Sequence, residues 1–413
     1  MASFQNSQMQ RKNLPHIVAN LRSLEPAAVL NGLFRFANKA QTSNVPGSHR
    51  YHQIQPITTV NPSAFTNTNY YIDFNLPMNV DQINEELLEV TLKNNHVASS
   101  WTANASVPFW FQRIEIRHDG EIKQTLRDVH LYLDQTMYRD DFERAKLMPL
   151  NGISDATYKA DATTLTIGPN STATYRLKLN SIISKCSLFL RALHGQVVVR
   201  VYPQAIATFS NSARNANITL EQSTLLLREL NLSTDASARL ETIHRSNVDY
   251  RFVDVVHEET SLSLTSGATF KYVTNNFHDT IYSHLVVLTR DSNPILSELE
   301  MFQKHTKVYV EDVAGQSLSN GIQWTDEELR TVVYTSNFPN TMALQSDMFI
   351  YVPKSPSLNP EQSYKTGVNN GYEILPRNTK LCIVPATTGQ VKVDILCYAY
   401  MHLRVEGGKI NIY

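Results

Sequence analysis

The chain has 413 residues, of which 42% are apolar and 18% charged, and its formal net charge is −1. That is enough apolar chain for two or three domains with real cores, and it excludes a disordered protein. The near-neutral balance removes any bulk-charge argument for nucleic acid, so no sequence-specific nucleic-acid partner is expected.

Residues 1–45 differ from the rest of the chain. Pro15 and Pro26 each suit a first helical position. Ile17, Leu21 and Leu24 share one helical face, as do Leu30, Leu33, Phe34 and Ala37. The segment carries Arg11, Lys12, Arg22, Arg35 and Lys39 against Glu25 alone. It reads either as a basic amphipathic arm for a lipid surface, a polyanion or a neighbouring subunit, or as a helical pair packed on its own domain. Its start, "MASFQNSQMQRKN", has no apolar signal core, and no apolar run reaches the ~20 residues of a spanning helix.

From Tyr51 onward strands dominate. In "YYIDFNLP", Tyr70, Ile72, Phe74 and Leu76 alternate with Tyr71, Asp73 and Asn75. In "LLEVTLKN", Leu88, Val90 and Leu92 alternate with Glu89, Thr91 and Lys93. Tyr175, Leu177 and Leu179 repeat the pattern, and Val197, Val199 and Val201 precede the strand-stopping Pro203. A period of two marks half-buried strands. "STDASARLETIHRS", residues 233–246, breaks it with a Ser/Thr cap and with Ala236, Leu240 and Ile243 at helical spacing, which predicts a single connecting helix. Strands then resume through "YRFVDVVHEE", "HLVVLTR", "KLCIVP" and "VKVDILCYAYMHLRVEGGK". Many short strands with turn signals point to sandwiches, barrels or jelly rolls rather than βαβ units.

One phrase occurs twice. "IEIRHDGEIKQTL" begins at Ile114 and "VYVEDVAGQSLSN" at Val308, almost half the chain apart. Each reads as strand, glycine turn and strand, with Gly120 and Gly315 in the turns, and each leads to an apolar residue and a tyrosine: Met137–Tyr138 and Val333–Tyr334. Duplication of one β domain accounts for this placement.

Catalytic, cofactor-binding and metal-binding residues are all expected to be absent. Thirteen histidines include no HxH pair and no HExxH, and His278 and His284 merely flank a turn. Cys186, Cys382 and Cys397 lack CxxC spacing; Cys382 and Cys397, in apolar strand-like contexts, read as buried, inert thiols, and the chain reads as one that folds in a reducing compartment. "VEGGK" lacks the earlier glycine of a phosphate loop and reads as a turn. Asp140, Asp141 and Glu143 are flanked by Arg139 and Arg144, which suits a solvated or ion-paired helix face rather than a metal site. There is no GxSxG. The four N-x-S/T sequons, at Asn104, Asn170, Asn217 and Asn231, match what chance supplies in a chain rich in Asn, Ser and Thr.

Taken over nearly its whole length, the chain resembles the double jelly-roll major capsid proteins. That lineage includes the adenovirus hexon, the tailless membrane-containing phages, the virophages and the Polinton-like viruses. The resemblance rests on the arm, the extended stretch "RYHQIQPITTVNPSAF", the two strand-rich halves joined by "STDASARLETIHRS", the repeated phrase, "LRALHGQVVVRVYP", and the tyrosine-rich ending. It implies an all-β fold of two tandem eight-stranded jelly rolls: an arm at 1–45, a first roll at 46–232, a connecting helix at 233–247 and a second roll at 248–413. It implies a structural, non-enzymatic protein without cofactors. Homotrimers would tile an icosahedral shell beside neighbouring capsomers, penton and minor capsid proteins. The chain would be made in the host cytoplasm or nucleus and end in the virion. Arg11, Lys12, Arg22, Arg35 and Lys39 would face the inner side and any internal membrane. The chain is short for that lineage, so modest outer loops are expected, 354–376 among them. The alternative is a tandem β-sandwich protein that binds or processes glycans, although Trp101, Trp110 and Trp324 are dispersed and form no sugar groove in the sequence.

Overall fold

The structure is a computed structural model that describes residues 47–65, 70–136, 141–154, 160–273, 281–291, 305–311, 314–315, 348–351, 373–374, 380–386 and 388–413. Arg11, Lys12, Arg22, Arg35, Lys39, Met137–Tyr138, Val333–Tyr334, His278, Trp324 and most of the 354–376 loop lie outside the described residues.

The first half contains β1 (Gly47–Ile54), β2 (Ile72–Asn75), β3 (Gln82–Asn94), β4 (Trp101–Thr102), β5 (Phe111–His118), β6 (Glu121–Arg127), β7 (Thr166–Ile167), β8 (Thr172–Leu179), β9 (Val197–Pro203) and β10 (Ile218–Leu232). Two four-stranded sheets form, in the orders β1-β10-β3-β8 and β2-β9-β5-β6, while β4 and β7 make a small ribbon. Setting that ribbon aside, the first strand pairs with the last, the second with the last but one, and so inward, always antiparallel. A long antiparallel hairpin rolled onto itself produces this order, which is the jelly roll.

The alternation in the sequence sets which side of each strand faces in. Ile72, Phe74, Leu88, Val90, Leu92, Leu177, Val197, Val199 and Val201 are buried, whereas Tyr71 and Asn75 are exposed. Trp110 sits at the centre, fully buried. Its indole N–H donates to the Ala105 carbonyl at 2.9 Å. Phe209 stacks on it at 5.3 Å, and Tyr175 meets it edge-on at 4.8 Å.

Helices interrupt the first roll at α1 (Asp128–Thr136), α2 (Asp141–Leu150) and α3 (Ile182–Lys185). The connecting helix α4 (Thr234–Ser246) follows β10. Ser233 Oγ accepts from the Ala236 N–H, and Leu240 and Ile243 pack on Phe189, Ala192 and Leu232 of the first roll.

The second half contains β11 (Asn247–Leu264), β12 (Phe270–Val273), β13 (Ile281–Asp291), β14 (His305–Glu311), β15 (Met348–Tyr351), β16 (Glu373–Ile374), β17 (Lys380–Pro385), β18 (Gly389–Glu406) and β19 (Lys409–Ile412). Among the described residues its sheets run β11-β18-β13-β15 and β12-β17-β14, with β16 and β19 as additions. These strands repeat the order of the first roll. The repeated phrase falls where that order requires: β14 is the counterpart of β5. Ile114 lies opposite Val201 on β9, and Val308 lies opposite Ile383 on β17. Gly120 follows β5 at φ +81°, and Gly315 follows β14 at φ +79°. Both turns need the left-handed region that glycine enters at no steric cost.

Candidate functional site

Two sets of contacts stand out among the described residues. One is the junction between the rolls. The central strand β18 is buried on both faces, from Val393 to Ala399. Ile395 and Cys397 share one face; Asp394, Leu396 and Tyr398 share the other, and this second face meets the first roll at His130. A sheet covered on both sides needs a near-continuous apolar run, which is what "DILCYAY" supplies.

The charged groups at this junction are few and paired. Asp394 is fully buried and takes the Arg290 guanidinium on both oxygens, at 2.5 and 3.1 Å. His257 Nε2 lies 2.8 Å from the same carboxylate. Arg290 Nη1 reaches across to Asp128, at the start of α1, at 3.0 Å. Burial opposes the Asp394 charge, but Arg290 and His257 overcome it and hold its pKa below the usual carboxylate value. Burial likewise opposes the Arg290 charge, and Asp128 and Asp394 outweigh it, so the guanidinium stays charged. Two further contacts cross the junction on the side of β6. Gln124 donates to Asp254 at 2.7 Å, and Lys185 donates to the Val253 carbonyl at 2.9 Å. The His194 N–H donates to the Gly408 carbonyl at 2.8 Å. A Cβ on Gly408, at φ +74°, would lie 2.8 Å from the His194 backbone nitrogen, so only glycine permits this approach.

The second set is a rail of arginine and tyrosine on the outer face of the first roll's β2-β9-β5-β6 sheet. Arg113 lies over the Tyr202 ring at 3.8 Å, Tyr202 neighbours Tyr71 at 5.9 Å, and Arg200 lies over Tyr71 at 3.9 Å. Asp73 grips Arg200 with two 2.7 Å bonds, and Glu115 binds both Arg113 and Arg117. These contacts lock the side chains in place, and Tyr71 is 43% exposed. Rigid Tyr and Arg with satisfied partners are the residue types that anchor protein interfaces.

Inside the first roll, Glu86 points into the core. Ser181 and Ser184 donate to its Oε2 at 2.5 and 2.9 Å, and its Oε1 has no protein partner. Burial pushes its pKa up to about 6, against the pull of the two serines. The folded state therefore holds a proton that the unfolded chain releases near pH 4.5. The stabilisation is complete below pH 4.5 and is lost as pH rises through 6, a difference of about 2 kcal/mol. Glu86→Gln is expected to raise the melting temperature at pH 8 by several degrees and to change it little at pH 4; thermal unfolding at the two pH values checks this.

The residues weighed for chemistry are scattered. Among the described residues, no group of three or more His, Cys, Asp or Glu is placed to hold a metal. Glu143 pairs with Lys178 at 2.8 Å on the β8 side, as an ion-paired helix face does, and Arg144 is buried. All three cysteines are buried and free, and burial pushes the Cys382 thiol up to about 11. "VEGGK" is the tight turn from β18 to β19. No described helix is long and apolar enough to cross a membrane. Sequence reading missed the junction and the rail. A lone Asp inside the apolar run "VKVDILCYAY" was a usable signal for Asp394. The rail gave none, because its members come from three strands far apart in the chain.

No family model and no curated protein matches the sequence. Solved structures do match. The PBCV-1 VP54 structure fitted into a reconstruction of the virophage Sputnik aligns with TM-score 0.68 at 11% identity, over 89% of this chain and 97% of that one. The Faustovirus major capsid protein aligns with TM-score 0.55 at 8% identity, over 94% and 98%. The mavirus major capsid protein aligns with TM-score 0.52 at 10% identity, over 90% and 93%. Identities this low carry architecture only. With the same strand order in both halves, the chain has the double jelly-roll fold of these major capsid proteins.

Proposed function

We propose that this protein is a major capsid protein whose trimers tile an icosahedral virus shell. The observation that carries the reading is the repeated roll, β1-β10-β3-β8 answered by β11-β18-β13-β15, within one chain. Three such chains place six similar barrels around an axis, a pseudo-hexagon that packs flat against its neighbours. The buried junction supports it, since a wall block must transmit load between its two barrels without hinging. A shell block needs no catalytic centre. The arm at 1–45, with Arg11, Lys12, Arg22, Arg35 and Lys39, would lie on the inner side against neighbouring capsomers, minor capsid proteins or an anionic membrane. The glycan-binding alternative lacks any observation in its favour.

Light scattering of the purified chain is the direct test. A particle of three times the 46.8 kDa chain mass is expected, and a monodisperse monomer at high concentration would remove the proposal. The arginine–tyrosine rail is the face assigned to contact between copies. Tyr71→Ala is expected to leave the melting temperature of the isolated chain unchanged and to weaken trimer association at least tenfold, as loss of an interface anchor does. Sedimentation across a concentration series reads both species.

A further inference from the structure

The junction within the chain is lopsided. The first roll brings β6, α1 and α3 to it, through Gln124, Asp128, His130 and Lys185. The second roll brings one sheet, through Val253 and Asp254 of β11, Arg290 of β13 and Tyr398 of β18. Two different surfaces meet, so two bodies of like strand order touch head to tail. Contacts of this kind either close into a ring or run on without end.

The first roll has its own counterpart of the receiving sheet, β1-β10-β3-β8. On the second roll that sheet's outer side is sealed, with Val286, Leu288 and Leu396 fully buried. On the first roll it is open. Tyr51 of β1 is 74% exposed, and Leu226 and Leu230 of β10 and Leu87 of β3 are only half-buried. Leu226 lies opposite Leu87, and Tyr51 lies opposite Arg228.

The sequence of β10 fits a strand meant to be covered twice. It reads "STLLLREL". Leu225 and Leu227 fill the roll's core, while Leu226 and Leu230 put apolar groups on the other side, as Leu396 and Tyr398 do in β18. Ion pairs stand beside these leucines: Arg228 with Glu85 at 3.1 Å, and Arg176 with Glu89 at 2.7 Å. Apolar groups among satisfied polar ones are the composition of a protein interface.

We infer that the outer face of β1-β10-β3-β8 receives the second roll of a neighbouring copy, as the outer face of β11-β18-β13-β15 receives the first roll within the chain.

The inference rests on the trimer reading above and adds to it a face and its occupant. Inside one chain the second roll's face is filled and the first roll's is left over. A neighbouring second roll, with the same strand order and the same turn at Gly315, is the body that matches it. Repeating the step around three copies closes the ring. The rail lies on the first roll's other sheet and adds its own contact.

Maleimide labelling of the full chain tests the face. The three native cysteines are buried, so a new surface thiol is the one that reacts. Val97, 83% exposed between β3 and β4, supplies the reference through Val97→Cys. In the trimer, Tyr51→Cys is expected to label at least about tenfold more slowly than Val97→Cys, because an interface excludes water and solutes. Adding Leu226→Lys, whose side chain points outward, should yield a folded monomer in which Tyr51→Cys labels as fast as the reference. Leu230→Lys replaces Leu226→Lys if that variant does not fold. A Tyr51→Cys chain that is monomeric at the parent's melting temperature supports the face directly. A trimer with equal labelling at the two positions overturns the face and leaves the trimer reading standing. A double variant that stays trimeric overturns it too, and so does slow labelling in the monomer, where the chain's own residues would be the cover. A parent chain that never associates removes both readings.

Discussion

Arg290→Ala should destabilise the protein by about 3–5 kcal/mol, more than any other single charged substitution at the junction. The reason is what stays behind. Asp394 is fully buried and draws two of its hydrogen bonds from that guanidinium, at 2.5 and 3.1 Å. Without them the carboxylate sits charged in the apolar centre of β18, or takes up a proton at a similar cost. Asp128 loses its partner as well. Denaturant unfolding followed by tryptophan fluorescence measures the loss. Adding Asp394→Leu to Arg290→Met should recover most of it, because the expense lies in the orphaned charge and not in the missing attraction. A single-variant loss below about 1 kcal/mol would mean that water reaches Asp394 and that the junction is not a sealed contact.

Trp110→Ala should cost about 3–5 kcal/mol through a different mechanism. Trp110 is fully buried and touches Phe65, Trp101, Tyr175 and Phe209, so its removal empties the centre of the first roll. The neighbouring rings are held on separate segments and cannot collapse together into the space. Trp110→Phe should lose less, since a ring still fills part of the site, though the hydrogen bond to Ala105 goes. Calorimetry of the two variants checks the order. Equal melting temperatures for parent and alanine variant would show that the cluster relaxes freely, against the close packing expected of a core.

These two residues differ in how far the sequence announced them. Trp110 lies in "VPFWFQRIEI", an apolar stretch entering a strand, and burial was its default. Arg290 closes "HLVVLTR" and looks like an ordinary strand-end arginine. Nothing local says that Asp128, far upstream, will be 3.0 Å away. The same holds for the rail, where Tyr71 just before β2, Arg113 of β5, and Arg200 and Tyr202 of β9 meet only because rolling the hairpin sets β9 between β2 and β5. Glu86 was hidden for another reason. "EELLEV" alternates, and the alternation puts Glu86 on the Leu88 and Val90 side, but two serines nearly a hundred residues later decide that an inward glutamate can stay there.

Strand periodicity, the capped helix after Leu232 and the duplicated turn at Gly120 and Gly315 were therefore determined by the sequence alone. Each rests on short-range sterics: side chains that alternate along a strand, a hydroxyl that reaches a nearby amide, a turn that only glycine enters freely. Which strands pair, which carboxylate meets Arg290 and which faces remain open were decided only by the tertiary structure. Those outcomes depend on contacts between distant segments, whose energies favour one arrangement only after the chain has closed on itself.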